Sequence, residues 1–339
     1  MVVVTGAAGH LGAALVRALL ADEQPVRALV HRDQRALAGL DVTLMRGDVR
    51  DVAALTHAFA GAEVVYHTAA HISLSFTDWT DLQAINVLGT RHVVQACQAA
   101  GVRRLVHVSS IGALVDTPLQ QPVDEQRPLV RTKRPFPYSY AKALAEREVQ
   151  HGIATGLDAV IVRPTAILGP YDYRVGSTTQ LVVRSATGQM PVTLAGGFDY
   201  VDARDVARGA IAAAQVAPRG ASYNLSGHWM SLLDVATRVA AATGATPPRG
   251  TLPHWLAYPI AMVGELRARV TGVPPQLTRP ALHMVRGNRQ ISHVRATEEL
   301  GYRPRPLDDT IIDTVRWFES MGVLASARRS APSLREEQS

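Results

Sequence analysis

The sequence is short of cysteine, of lysine and of long apolar runs, and each shortage excludes something. One cysteine, Cys97, in 339 residues rules out an intramolecular disulfide. It lies in "HVVQACQAAG", a pattern that assigns it to a buried helix face. The most apolar later stretch, "WLAYPIAMVG" from Trp255 to Gly264, is too short to span a bilayer and is interrupted by Pro259. It is expected to be a buried or pocket-covering helix, not a membrane anchor, and no membrane partner is expected. The 12 histidines form no H-E-x-x-H, and a lone cysteine cannot form C-x-x-C. His67 and His71 lack an obvious third ligand and read as neutral structural residues, so no metal is expected. "VSSIG" lacks the G-x-S-x-G elbow of a serine hydrolase. Only two of the 35 basic side chains are lysines, Lys133 and Lys142. The net charge of +6 is carried by arginines interleaved with acids, which argues against a nucleic-acid partner.

Composition is that of a globular chain, 47% apolar and 19% charged. Apolar runs without alternation at Val2 to Thr5, Val26 to Val30, Val42 to Arg46, Val64 to His67, Arg104 to Ser109 and Ala159 to Arg163 predict buried parallel strands. Helical patterns such as "GAALVRALLAD" and "VAALTHAFAG" separate them, so the fold class is α/β, a doubly wound parallel sheet. After Pro164 glycine and proline multiply. With a glycine-rich turn, "TGAAGHLG", directly after the first of these strands, we expect a dinucleotide-binding (Rossmann) domain over 1–167 with returns near 198–225. A smaller C-terminal substrate-binding lobe would use 168–197 and 226–324, followed by a disordered tail from Ala325. "MVVVT" opens a strand without a basic n-region or cleavage site, which predicts a cytoplasmic protein.

The first strand runs into "TGAAGHLG", with glycines at Gly6, Gly9 and Gly12 before a helical pattern. Such a turn lets backbone approach a pyrophosphate at the positive helix N-terminus. At the end of the second strand NAD would require an acid for the ribose 2′-hydroxyl. Here His31 and Arg32 occupy that place, with Arg35 close behind and Asp33 arriving late, which favours NADP(H) over NAD(H). In "GDVRD", Asp48 is a candidate acceptor for the adenine amino group, Val49 an apolar contact, and Asp51 a cap for the next helix.

Tyr138 and Lys142 stand four apart, on one face of a helix. Lowering a phenol from about 10 by roughly three units needs about 4 kcal/mol of preference for the phenolate. One cation typically supplies one to three units, so Lys142 would need help from the positive nicotinamide of an oxidised cofactor. A compact ammonium can also reach ribose hydroxyls, a reason for lysine in an arginine-rich chain. Ser109 and Ser110 end the fifth strand at the carboxyl edge of the sheet, where open α/β folds place ligands. From there Ser110 could hold a substrate carbonyl beside Tyr138.

With "HTAA" at 67–70, "NVLGT" at 86–90, "YSYAK", "RPTAILGP" at 163–170, "VDARDVA" at 201–207 and "ELGYRPRPL" at 299–307, these motifs make the chain resemble the extended short-chain dehydrogenase/reductases over almost its full length. The resemblance implies a Ser110, Tyr138 and Lys142 catalytic triad with Asn86 in support. It implies cofactor contacts from His10, Leu11, Ala69, Ala70 and Pro164 besides those above. It is closest to dihydroflavonol 4-reductase and 3β-hydroxysteroid dehydrogenase relatives, which interconvert apolar ketones and alcohols. Sugar-nucleotide epimerases carry an asparagine where this chain has Ala166 and a tyrosine where it has Leu168. Dehydratases carry Asp-Glu where it has Ile111 and Gly112. The expected function is NADP(H)-dependent interconversion of a ketone or aldehyde and an alcohol on a hydrophobic small molecule. An NAD-dependent nucleotide-sugar epimerase/dehydratase is the alternative, and a cofactor-sensing protein without turnover and a homodimer stay open. Trp255, Leu256, Tyr258 and Ile260 are expected to close the pocket.

Overall fold

The computed structural model describes residues 1–73, 78–133, 136–271 and 277–329. Its strands are β1 (Val2–Thr5), β2 (Val26–Val30), β3 (Thr43–Arg46), β4 (Val64–His67), β5 (Arg104–Val108), β6 (Ala159–Pro164), β7 (Ala166–Leu168), β8 (Thr193–Leu194), β9 (Gly197–Asp202), β10 (Ser222–Leu225), β11 (His228–Ser231) and β12 (Thr251–Leu252). The helices through the middle of the chain are α1 (His10–Ala21), α2 (Val52–Phe59), α3 (Trp79–Asp81), α4 (Gly89–Ala99), α5 (Pro137–Ala154), α6 (Ser177–Ala186), α7 (Ala203–Val216) and α8 (Leu232–Thr243). They are followed by α9 (His254–Thr271), α10 (Arg279–Met284), α11 (Val294–Leu300), α12 (Leu307–Ser320) and α13 (Val323–Arg329).

Seven strands form one parallel sheet in the order β10-β6-β5-β4-β1-β2-β3, a doubly wound Rossmann arrangement. Alternate residues of each strand point to opposite faces, and both faces are covered. Val2 and Val4 of β1 join the cluster under α1 and α7, while Val3 joins the one that also contains Leu55, Phe59, Val93 and the buried Cys97. A smaller sheet, β11-β9-β7, packs with α6, α8 and α12 around Leu168, Tyr200 and Phe318. β1 and β4 pair Thr5 with His67, and β4 and β5 pair His67 with His107. The carboxyl ends of these central strands are therefore level, and the candidate residues sit just beyond them.

Two expectations fail. The stretch from Trp255 is helical but exposed, with Trp255 itself 74% exposed and Leu256, Tyr258 and Ile260 also in solvent. α9 packs through its small residues, Ala257 and Ala261, both fully buried, so its large side chains turn outward and do not close the pocket. The segment from Ala325 is not unstructured at its start. α13 runs to Arg329 and buries Leu324, while 330–339 lie outside the described residues.

Candidate active site

The turn between β1 and α1 is built by close backbone approach. Gly6 has φ +66°, and a Cβ there would lie 2.6 Å from the Ala69 Cα. A Cβ on Gly12 would lie 2.2 Å from the Gly6 carbonyl oxygen, and one on Gly9 3.2 Å from the same atom. The Thr5 hydroxyl is 2.8 Å from His67 Nδ1, and the Thr68 hydroxyl donates to the Thr5 carbonyl at 2.7 Å, which lashes the end of β4 to that of β1. Ala69 and Ala70 follow directly. Gly9 caps α1 without a side-chain bond, and no acid stands in the first turn. The first-turn N–H groups, at His10, Leu11 and Gly12, thus have no partner within the helix. An uncapped, acid-free helix N-terminus beside crowded glycines fits a pyrophosphate. The His10 side chain serves otherwise. Its Nε2 lies 3.1 Å from the carbonyls of Gly169 and Pro170, and burial keeps the ring below its ordinary pKa, so it is a neutral bridge between α1 and the loop after β7.

Around the adenosine end the sequence candidates divide. Arg35 is bound in bidentate fashion by Asp33, at 3.0 and 2.9 Å, and this contact holds the Asp33 carboxyl well below the usual range. Arg174 reaches the same carboxylate at 3.6 Å. Arg32 is exposed and makes no hydrogen bond or ion pair among the described residues. Asp48 accepts from Arg50 at 3.0 Å and lies 3.4 Å from His31, and Arg50 holds its carboxyl down at about 2. Val49 is buried, and a Cβ on Gly89 would meet its Cγ2 at 2.7 Å, so the start of α4 closes over it. Asp51 caps α2 through the Ala54 N–H at 3.0 Å, as its position implied.

The structure brings Ser110, Tyr138 and Lys142 together where β5 ends against the first two turns of α5. Pro137 at the start of α5 presets the helical φ and lacks the N–H that would go unpaired there. Tyr138 shares a hydrogen bond with the Ser110 side chain, whose oxygen also accepts from the Gly112 N–H at 3.2 Å. Burial pushes the Tyr138 phenol up to about 12, against the pull of the Ser110 bond. Lys142 is 4% exposed and donates from Nζ to the Val108 carbonyl at 2.8 Å. Burial brings its ammonium down to about 8, opposed by Glu146 one turn further along α5. The lowering of the Tyr138 pKa expected from Lys142 is therefore not present in the chain alone. Pro164 ends β6 beside β5, level with the serines. Phe136, Pro137, Pro280 and Met284 supply apolar walls to the space in front of Tyr138, with Ser73 and Ser139.

Several supporting residues escaped sequence reasoning. Glu146 is fully buried and is held by Arg163 of β6 at 2.9 and 2.7 Å. Its spacing of four from Lys142 was a usable signal, but its arginine lies 17 residues on. His107, level with His67 across the sheet, is buried, neither of its ring nitrogens has a hydrogen-bond partner among the described residues, and the two rings' centroids are 5.3 Å apart. Asn86, by contrast, was named from the sequence, and it clamps the chain at His71, accepting from its N–H and donating to its carbonyl, both at 2.8 Å. Pro280 and Met284 come from far along the chain and carried no sequence signal.

Residues 2–226 match the NAD dependent epimerase/dehydratase family. Sterol demethylase protein B of Methylococcus capsulatus is 35% identical over 95% of this chain and 99% of that protein. A 4-hydroxy-2-methyl-3-oxo-4-farnesyl-3,4-dihydroquinoline-1-oxide ketoreductase of Stigmatella aurantiaca is 32% identical over 96% and 99% of the two chains. The crystal structure of gox2253 superimposes with a TM-score of 0.84 at 34% identity, covering 95% of this chain and 98% of the other. Relatives also include a putative dihydroflavonol 4-reductase and a 3β-hydroxysteroid-dehydrogenase/decarboxylase, and solved neighbours include NAD complexes. No helix among the described residues is long and apolar enough to cross a membrane. On this glycine turn, parallel sheet and matching family, the chain belongs to the extended short-chain dehydrogenase/reductases of the NAD dependent epimerase/dehydratase family and is an NAD(P)-dependent enzyme.

Proposed function

We propose that the protein is an NADP(H)-dependent oxidoreductase that interconverts a ketone or aldehyde with an alcohol on a hydrophobic small molecule. The observation that carries this reading is the Tyr138 phenol, hydrogen-bonded to Ser110 and kept protonated by burial before an apolar wall. Gly6, Gly9, Gly12 and the first turn of α1 would hold the pyrophosphate, Asp48 and Val49 the adenine side, and Lys142 and Pro164 the nicotinamide half. The cofactor, when bound, supplies or takes up the hydride at the substrate carbon. Ser110 positions the carbonyl oxygen and Tyr138 gives that oxygen its proton, so an alcohol forms and the phenolate regains a proton from solvent. Lys142, charged below about 8, stabilises the phenolate that forms. Ala166 offers only a methyl group where a nucleotide diphosphate would want a hydrogen bond. A sterol demethylase protein and a farnesyl-quinoline-oxide ketoreductase among the relatives support a bulky apolar substrate. With Arg35 occupied by Asp33, Arg32 is the residue we assign to the 2′-phosphate.

The test is NADPH oxidation over aromatic ketones, steroids, aliphatic aldehydes and nucleotide sugars. Turnover is expected on the apolar carbonyls, and Tyr138→Phe should reduce it by about 10²-fold or more with NADPH affinity nearly unchanged. Activity confined to nucleotide sugars would put the epimerase/dehydratase reading in its place. Arg32→Ala should weaken NADPH about tenfold through loss of a charge-assisted contact and leave NADH unaffected. Equal affinity of the native chain for the two nucleotides would remove the NADP assignment.

A further inference from the structure

Helix α9 is inverted relative to an ordinary surface helix. Its small residues, Ala257, Ala261, Gly264 and Ala268, recur at i, i+4, i+7 and i+11 and turn toward the protein, the first two fully buried. Its large apolar side chains face out. Trp255, Tyr258, Ile260, Met262, Val263 and Leu266 are all exposed, Val263 at 67% and Leu266 at 63%. At 3.6 residues per turn they sweep ~200° of the helix circumference. A helix packed on a folded neighbour buries an apolar stripe from about 100° wide, and a ridge of twice that sweep is covered most fully by fluid acyl chains, which wrap it.

Charge and residue type favour the same occupant. Between 246 and 271 the sequence has three arginines, Arg249, Arg267 and Arg269, against one acid, Glu265. Glu265 is already bound by Arg279, whose backbone N–H and Nε each donate to it at 2.8 Å. The balance left is positive, complementary to anionic lipid headgroups. Trp255 and Tyr258 carry the amphipathic rings that settle at a headgroup boundary. α9 does not qualify as a spanning helix, so any association is in the plane of the surface.

We propose that α9 docks the protein on the surface of an anionic lipid bilayer, its apolar ridge lying among the headgroups and upper acyl chains. The expectation of no membrane partner rested on the lack of a spanning run, which docking in the plane of the surface does not need. The ridge leads to the candidate site. Met262, Val263, Leu266 and Arg279 border a groove of about 280 Å³, and Arg279 opens α10, whose Pro280 and Met284 line the space before Tyr138. The proposal concerns where the protein sits and stands whether or not the carbonyl-reductase reading holds.

The test is co-sedimentation of the full chain with phosphatidylcholine vesicles made with and without phosphatidylglycerol. The native chain should pellet with the anionic vesicles, less so as salt rises, and a Trp255→Ser/Val263→Ser/Leu266→Ser variant should lose about tenfold or more of that partitioning. A second measurement needs no disruptive variant. Tryptophan emission should shift to the blue on anionic vesicles, and the shift should vanish in Trp255→Phe. A native chain that stays in the supernatant with both vesicle types overturns the proposal. So does a concentration-dependent dimer that the triple variant breaks without any vesicle binding, which would make the ridge an interface between copies.

Discussion

Tyr138 and Lys142 stand one helical turn apart, and burial moves them in opposite directions, to about 12 and about 8. The phenol therefore stays protonated throughout the range in which an enzyme is assayed, and Lys142 is the group that titrates. As a base with a lowered pKa it is charged below about 8 and neutral above. Reductive turnover should fall as pH rises through that value. Lys142→Arg keeps its charge to higher pH and should move the alkaline limb upward, whatever it costs in rate. A pH–rate profile of NADPH oxidation checks this, and a limb at the same pH in both proteins would assign it to another group. The residue types at this site could be read from local spacing alone, because Tyr-x-x-x-Lys and a serine pair at a strand end lie within short stretches. Their protonation could not, since the groups that enclose Lys142 come from β5 and β6.

Helix α5 carries Tyr138, Lys142 and Glu146 at successive turns of one face, and the ion pair between Glu146 and Arg163 fixes that face against β6. Arg163→Met would leave a carboxylate uncompensated in the core and should cost about 3–5 kcal/mol of stability. Adding Glu146→Leu removes the stranded charge and should recover most of the loss. Denaturant unfolding of the single and double variants measures both, and a double variant no more stable than the single would show that the pair is not the cause. The alternation of strands and helices was legible in the sequence because doubly buried parallel strands write continuous apolar runs. α9 was misread for a related reason. Hydrophobicity marked its large residues as the side to be buried, but the neighbouring elements accept only its alanines and glycine.

At the level of the whole molecule, buried neutral histidines set the response to acid. Burial brings His67 down to about 3 and keeps His107 and His10 below their ordinary value, with the charge of Lys142 adding to the effect at His67 and His107. Below about 6.5 the unfolded chain binds protons at His67 and His107 that the folded chain refuses, so their contribution is present above that pH and lost as pH falls. The loss should be about 1.4 kcal/mol per pH unit for each such histidine. His107 makes no hydrogen bond among the described residues, so His107→Leu should flatten the fall in melting temperature between neutral and mildly acidic pH by one residue's share. An unchanged slope would place the titration elsewhere. The scarcity of lysine has a practical corollary in covalent labelling. Lys142 is shielded, and Lys133 lies with its ammonium 4.3 Å from the Trp79 ring centroid. An amine-reactive probe applied to the native chain should therefore modify the α-amino group and Lys133 and spare Lys142, as peptide mapping would reveal. Of the two lysines, tagging would thus fall on Lys133, and a fluorophore there would sit three residues from Phe136, at the wall of the space before Tyr138.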